Sequence, residues 1–192
     1  MSEDTDFPRL VSLACHDLRT PLATVHGFAR TLARSGLRPP ADRYVEMIDA
    51  ASAQIAELLD ELSLAARIAD GRYEPAERET DTLELARAAA GRLGEDRVRV
   101  AGSGVALATD AEGVERGLAA LFQSALRHGG LERVEVEVDG AEVRVSPVTP
   151  ASAPVVRGDD LRDLGAAVAV RLVRRLGGSV SVRDDTLVVR LA

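Results

Sequence analysis

The pair His16-Asp17 combines the two side chains of this sequence that are best suited to group transfer. A neutral imidazole is a nucleophile near pH 7, and a neighbouring carboxylate can orient it or accept its proton, as phosphoryl transfer requires. Four further residues share this face of a helix: Arg19, Thr20, Ala23 and Gly27. The small side chains among them leave room for a docking partner. An isolated histidine on a helix is more often a solvated side chain without a catalytic role. The sequence around His16 must therefore show whether it is a reactive residue.

Two long helices are predicted to position this pair, because apolar residues recur at heptad spacing in two successive segments. The first seam is Val11, Cys15, Leu18, Leu22, Val25, Ala29 and Leu32. The second seam is Ile48, Ala51, Ile55, Leu58, Leu62, Ala65 and Ala69. A Gly/Pro-rich turn between them predicts an antiparallel hairpin, and Pro21 predicts a kink in the first helix. A second apolar side stays open along Leu13 and Leu59, which predicts dimerisation into a four-helix bundle.

The hydrophobic periodicity changes after the hairpin, which predicts a second domain of another class. We expect a helical hairpin over residues 1–72, a linker over 73–78 and an α/β sandwich over 79–192. Helices are predicted at 82–93, 110–128 and 160–176, and strands at 98–101, 105–108, 134–138, 143–145 and twice within 180–191. The Pro/Ser-rich residues 146–157 are predicted to be a loop.

Composition excludes several classes of function. The chain has 192 residues, 24 basic and 31 acidic, a net charge of −7, and neither Lys nor Asn. Schiff-base catalysis and P-loop nucleotide binding need lysine, and the acidic balance argues against nucleic acid. The apolar runs are too short for a bilayer and the first residues lack a signal-peptide core, so we expect a cytoplasmic protein without a membrane partner. One cysteine, Cys15, allows no internal disulfide, and no metal site is expected. His26 and His128 are predicted to be structural.

The run from His16 to Leu22 resembles the phosphoacceptor box of sensor histidine kinases, in which all seven residues match. In that family the box lies in the first helix of a dimeric four-helix bundle, as predicted here. The resemblance implies that His16 is phosphorylated and that Asp17 assists the handling of proton and charge. It also implies that Thr20 helps to position water if a partner is dephosphorylated, and that Pro21 bends the helix.

Residues 76–192 resemble the Bergerat-type ATPase domain that follows in this family, but the nucleotide-binding positions differ. Ser124 stands where the family has its magnesium-binding Asn, and Pro147 lies where Asp-x-Gly reads adenine. Asp163 replaces the first glycine of the second glycine box, two residues before Gly165. A carboxylate there would repel a triphosphate. The loop after Pro147 is too short and apolar for an ATP lid with its own helix. The resemblance therefore implies a degenerate ATPase domain that does not bind ATP.

Together these observations favour a histidine phosphotransferase of a two-component phosphorelay. It would take a phosphoryl group from a receiver-domain Asp onto His16 and pass it to another receiver, acting as a homodimer. It would need no cofactor of its own, because the receiver of the response regulator brings Mg²⁺. Two alternatives stay open: an ATP-dependent histidine kinase with a divergent pocket, and a receiver phosphatase or interaction protein in which His16 is not phosphorylated.

Overall fold

The structure, a computed structural model, describes residues 3–192. Along the first helix, the described side chains are those of Pro8, Val11, Cys15 and His16 and those from Leu18 onward. The chain divides into two compact units, with the boundary between Tyr73 and Glu74. A helical unit followed by a mixed α/β unit confirms the predicted fold class.

The first unit is a hairpin of two long helices. Helix α1 spans Glu3–Arg34 and helix α2 spans Ala41–Ala69, with a short turn between them. Pro21 lacks the N–H that a helix interior uses, yet α1 continues through it as one helix. Within the residues that the structure describes, no helix is both long and apolar enough to cross a bilayer.

The two helices pack along stripes that differ from the prediction on both helices. The buried residues of α2 recur every seven positions: Val45, Ser52, Leu59 and Ala66. On α1, Cys15 and Ala29 of the predicted seam are buried, whereas Leu18, Val25 and Leu32 are about half exposed. Four residues of the predicted seam are instead 38% to 48% exposed: Ile48, Ile55, Leu58 and Leu62. Leu59, which the sequence placed on the open side, is 8% exposed and belongs to the hairpin contact.

This error has a physical cause. Stripes that lie three residues apart on one helix face nearly the same way, and on α2 both stripes are apolar. Periodicity therefore identifies the apolar side of α2 but not the edge that packs on its mate. Leu13, the other residue placed on the open side, lies outside the described side chains.

The second unit is a mixed sheet with helices packed on it. Its strands are β1 Glu77–Asp81, β2 Val98–Gly104, β3 Ala106–Asp110, β4 Val134–Gly140, β5 Glu142–Ser146, β6 Ser179–Arg183 and β7 Thr186–Arg190. Its helices are α3 Thr82–Gly91, α4 Ala111–Gly129, α5 Ala153–Val156 and α6 Leu164–Arg175. Five strands form one sheet in the order β2-β4-β5-β7-β6, and β1 pairs with β3 separately. Strands β2 and β4 are parallel, whereas the other neighbours in that sheet are antiparallel.

Alternating side chains determine which face of the sheet is buried. The three valines of β4 are buried, while Glu135 and Glu137 between them are exposed. The buried face joins α3, α4 and α6 in one apolar core, whose largest fully buried side chain is Phe122. Asp81 and Asp110 begin α3 and α4 by accepting hydrogen bonds from backbone N–H groups of the first turn.

Three segments of the second unit depart most from the sequence prediction, and the first of them, β1, was not predicted as a strand. Strand β1 begins at Glu77, inside the predicted linker, because it pairs with β3, and pairing across the chain carries no local signal. Residues 160–163, predicted to be helical, precede α6, whose N-cap is Asp163. The predicted loop 146–157 contains the four-residue helix α5, whose apolar side chains are drawn into the core.

Candidate functional site

His16 lies on an exposed face of α1 and lines an open surface depression. The other residues that line it are Arg19, Thr20, Ala23 and Thr24. The depression thus brings together four of the residues singled out from the sequence, and Thr24 was missed. Gly27 is exposed further along α1, and a Cβ atom built on it would meet nothing within 4 Å. Asp17 lies outside the described side chains, so its part in the site stays a prediction.

The two threonines of the depression differ in what their hydroxyl groups do. The Thr24 Oγ1 donates to the backbone oxygen of Thr20 at 3.2 Å, which ties Thr24 to the preceding turn. Both side chains lie at the rim of the surface that a partner would approach. Of the two, Thr20 lies closer along the helix to His16, in the position expected for a group that orients water.

Arg19 contacts the second helix through an ion pair that the sequence analysis did not predict. Its Nη2 donates to Asp60 Oδ1 at 2.6 Å, and the two side chains are 48% and 54% exposed. Arg19 was predicted to be a docking residue on the His16 face. The contact between Arg19 and α2 depends on how the two helices are aligned along their axes. In the sequence it could have been inferred only from opposite charges at equivalent positions of the two predicted helices.

A second charged pair follows on the same edge of the hairpin. His26 lies seven residues after Arg19, and its Nδ1 is 3.1 Å from Asp49 Oδ1, without the alignment of a hydrogen bond. This contact agrees with a structural role for His26. The buried residues Cys15 and Ala29 separate this edge of α1 from an apolar edge on their other side. That second edge is open to solvent, because Leu18, Val25 and Leu32 are all about half exposed. The hairpin thus has a charged edge next to His16 and an apolar edge away from it.

In the α/β unit, Ser124 and Pro147 occupy two positions at which the resemblance places nucleotide ligands. Ser124 is completely buried in α4, and its hydroxyl has no hydrogen-bond partner among the residues that the structure describes. Pro147 is exposed immediately after β5. The next residue, Val148, is buried and donates its N–H to the backbone oxygen of Asp185 at 2.6 Å. A buried hydroxyl and a pyrrolidine ring offer neither a solvent-facing metal ligand nor a carboxylate for adenine.

The carboxylate of Asp163, which was expected to repel a triphosphate, is paired within the protein. Its Oδ1 accepts from the Ala166 N–H at 3.0 Å, and its Oδ2 is 3.0 Å from His128 Nε2. The side chains of His128 and Asp163 are only 17% and 15% exposed. The first turn of α6, which contains the partly buried Gly165, is therefore capped by the side chain of Asp163. The contact also gives His128 a structural partner at the end of α4.

The segment after Pro147 folds inward. It was expected to be too short for a helix, but residues 153–156 form α5, which packs against α4 and α6. Val155 and Val156 are completely buried and belong to the core of the unit. The preceding turn is fixed by Ser152, whose Oγ accepts from the Thr149 N–H at 3.1 Å. Apolar side chains thus fill the space between the two helices that carry Ser124 and Asp163.

Comparison with known proteins identifies the hairpin. Residues 9–71 match the model of the His Kinase A (phospho-acceptor) domain. The sensor protein KdpD of Mycobacterium tuberculosis is 33% identical over 225 aligned residues, which cover 95% of this chain and 26% of KdpD. The chain therefore spans about a quarter of the length of the curated relatives that it matches.

Two solved structures share the fold of the chain. The full-length ShkA crystal structure in complex with AMPPNP superposes with a TM-score of 0.70 at 22% identity, over 95% of this chain and 44% of ShkA. The Acinetobacter baumannii histidine kinase AdeS gives a TM-score of 0.57 at 15% identity, over 92% of this chain and 98% of that one. At these identities the likeness concerns the fold. Residues 9–71 are therefore similar to a histidine kinase phosphoacceptor domain, and the chain as a whole shares the fold of these histidine kinase structures.

Proposed function

We propose that the protein is a histidine phosphotransferase of a two-component phosphorelay that works without ATP. His16 attacks the phosphorus of a receiver aspartyl phosphate: the P–O bond to the aspartate breaks, a P–N bond to the imidazole forms, and the ring N–H proton is released to a base such as Asp17. Transfer to a second receiver reverses these steps. The Mg²⁺ that assists transfer comes with the receiver.

The observation that carries this proposal is the exposure of His16 on α1, within a run of residues that matches a phosphoacceptor box. An in-line attack needs an accessible nitrogen and space for a receiver domain. The exposure of the His16 side chain and the open depression around it support both. The match of residues 9–71 to a phosphoacceptor domain supports the same role for this helix.

Four features of the α/β unit argue against nucleotide binding. The first-turn N–H of Ala166 is already taken by Asp163, and the valines of α5 are buried against α4 and α6. Ser124 has no access to a metal ion, and Pro147 supplies no carboxylate for adenine. These residues do not fit a Mg²⁺-nucleotide, so we assign no step to one, and the unit would serve as a structural or docking module.

A second copy of the chain is the proposed occupant of the open apolar edge of the hairpin. Ile48, Ile55 and Leu62 on α2 recur at heptad spacing and stay exposed, as do Leu18 and Val25 on α1. Such a stripe is costly in water and suits a four-helix bundle of two hairpins. It lies on the other side of α1 from His16, so dimerisation would leave the phosphoacceptor accessible.

Incubation with a receiver domain carrying labelled phosphoryl tests the relay. Label should appear on the wild type and on His26→Ala, and be absent from His16→Ala. Acid lability and alkali stability should mark it as phosphohistidine. Relay by His16→Ala would overturn the proposal. Release of free phosphate without a labelled intermediate would establish the phosphatase alternative, with Thr20 as the residue to test next.

The kinase alternative is favoured by the relatives: one is called a sensor protein, and the ShkA structure contains AMPPNP. Calorimetric titration with Mg-ATP separates the two functions. We expect no heat of binding and no labelling of His16 from labelled ATP, and either signal would establish the kinase.

A further inference from the structure

The ion pair between Arg19 and Asp60 places a charged group of the second helix at the edge of the phosphoacceptor site. Arg19 lies three residues after His16, one turn along α1, and both side chains line the same depression. Asp60 belongs to α2 and reaches the guanidinium at 2.6 Å. The carboxylate thus restrains the cation nearest in sequence to His16.

Phosphorylation changes the electrostatic balance at this point. A phosphoryl group on the imidazole adds about two negative charges and three acceptor oxygens within one helical turn of Arg19. A guanidinium binds phosphate oxygens in a planar, two-pronged manner, so the phosphoryl group and the Asp60 carboxylate compete for the same donors. Arg19 is about half exposed and tied to a single carboxylate oxygen in the described part of the chain, which leaves its side chain free to turn.

We propose that Asp60 is a positioning residue of the phosphoacceptor site: it holds Arg19 beside unmodified His16 and yields the guanidinium to the phosphoryl group once His16 is phosphorylated. This inference rests on the proposed phosphorylation of His16. By competing for Arg19, Asp60 weakens the hold on the phosphoryl group and so favours its onward transfer. The residue acts only through Arg19 and needs no contact with the phosphoryl group.

Four variants isolate this role. Asp60→Asn releases Arg19, Arg19→Gln removes the cation, and the double variant carries both changes. Asp49→Asn is the matched control, because it changes a second polar contact between α1 and α2 in the described part of the chain, the one with His26. Thermal unfolding of each variant establishes that the hairpin is folded.

The first measurement is the equilibrium ratio of phosphohistidine to phosphoaspartate with a receiver. For half-exposed charge pairs the effect should be about two- to fivefold. Asp60→Asn should raise the phosphohistidine fraction by that factor and Arg19→Gln should lower it. The double variant should behave like Arg19→Gln, and Asp49→Asn like the wild type. Equal effects of Asp60→Asn and Asp49→Asn, or additive effects in the double variant, would overturn the inference.

The second measurement needs no receiver. Phosphoramidate, a small donor that phosphorylates imidazole directly, is used to modify His16, and the ³¹P resonance is followed against pH. A nearby free guanidinium lowers the midpoint for protonation of the phosphoryl group, so the midpoint should fall in Asp60→Asn and rise in Arg19→Gln. Phosphohistidine formed by phosphoramidate but not by receivers would refute the proposed relay, and the midpoints would still decide the role of Asp60. Unmoved midpoints would refute that role, and failure of phosphoramidate to modify His16 would refute both.

Discussion

The hairpin and the α/β unit differ in how they present the residues singled out from the sequence. In the hairpin the reactive side chain is exposed on a helix, with small and polar neighbours, while much of the apolar surface remains uncovered. In the α/β unit the core is closed around Phe122. Of the positions that resemble a nucleotide site, Ser124 is buried and Asp163 is paired within the protein, whereas Pro147 is exposed. Under the proposed function, the hairpin presents a site for a partner protein, and the α/β unit serves as a structural or docking module that does not bind nucleotide.

The proposed function implies that a nucleotide site can be lost without loss of the fold that carried it. The five-stranded sheet and its three long helices keep their topology although the ligand positions have changed. Val155 and Val156 make core contacts, and Asp163 caps α6, so the residues that argue against nucleotide also stabilise the unit. Selection for stability alone is enough to retain them.

The largest expected effect concerns the uncovered surface of the hairpin. Ile55→Glu places a charge in the stripe that we assign to a second copy, and an unpaired charge cannot be buried cheaply. Because each copy contributes the change, the association constant should fall by at least about 100-fold, measured by analytical ultracentrifugation.

Leu161→Glu is the matched control, because Leu161 is also exposed but lies alone before α6 in the other unit. It should leave the association constant unchanged. Unaltered association of Ile55→Glu would mean that the apolar edge of the hairpin has another occupant.

The next effect tests whether the segment with α5 is part of the core or a mobile lid. Val155→Ala should lower the free energy of unfolding of the α/β unit by about 2 kcal/mol, because Val155 is completely buried. Hydrogen exchange of the β4 amides measures this free energy for the α/β unit separately. In the control Val105→Ala, at an exposed valine, the loss should stay below about 0.5 kcal/mol. Equal losses in the two variants would indicate a lid that is not packed on α4 and α6.

Local patterns predicted most of the fold. The alternating valines of β4 and β5 and the acidic cap at Asp110 are short-range signals, and the corresponding elements form where they were expected. The hairpin followed from two heptad stripes, but the packed edge of α2 did not, since Leu59 and its apolar neighbour Leu58 are equally good seam residues in the sequence.

The site could be predicted only as far as its residues are adjacent in the chain. The run around His16 is contiguous, so its face on α1 could be derived from helical spacing. Asp60 and His128 could not be found in this way, because their partners lie 41 and 35 residues away. The lack of Asn and Lys can be explained by the overall composition of an arginine-rich chain. The inward packing of α5 cannot be explained by composition.

Substitutions of Asp163, with a smaller expected effect on stability, test the proposal that the α/β unit does not bind nucleotide. Asp163→Ala removes the N-cap of α6 and the contact with His128, which should cost about 1 to 2 kcal/mol of stability. Asp163→Asn keeps an acceptor for the Ala166 N–H and should recover most of the loss. Calorimetry with Mg-ATP should show no binding in either variant, because α5 is still packed in place. Binding by Asp163→Ala alone would show that a single carboxylate keeps nucleotide out.

The smallest expected effect is a gain in stability. Ser124 and Ser152 are both completely buried, but only the Ser152 hydroxyl is hydrogen-bonded. Removing a buried hydroxyl without a partner relieves a desolvation cost, so Ser124→Ala should raise the free energy of unfolding by about 1 kcal/mol, whereas Ser152→Ala should lower it by about as much. Hydrogen exchange of the β4 amides measures both changes. A loss of stability in Ser124→Ala would show that the hydroxyl has a bound partner, and a metal-dependent loss would return Ser124 to the role of a magnesium ligand.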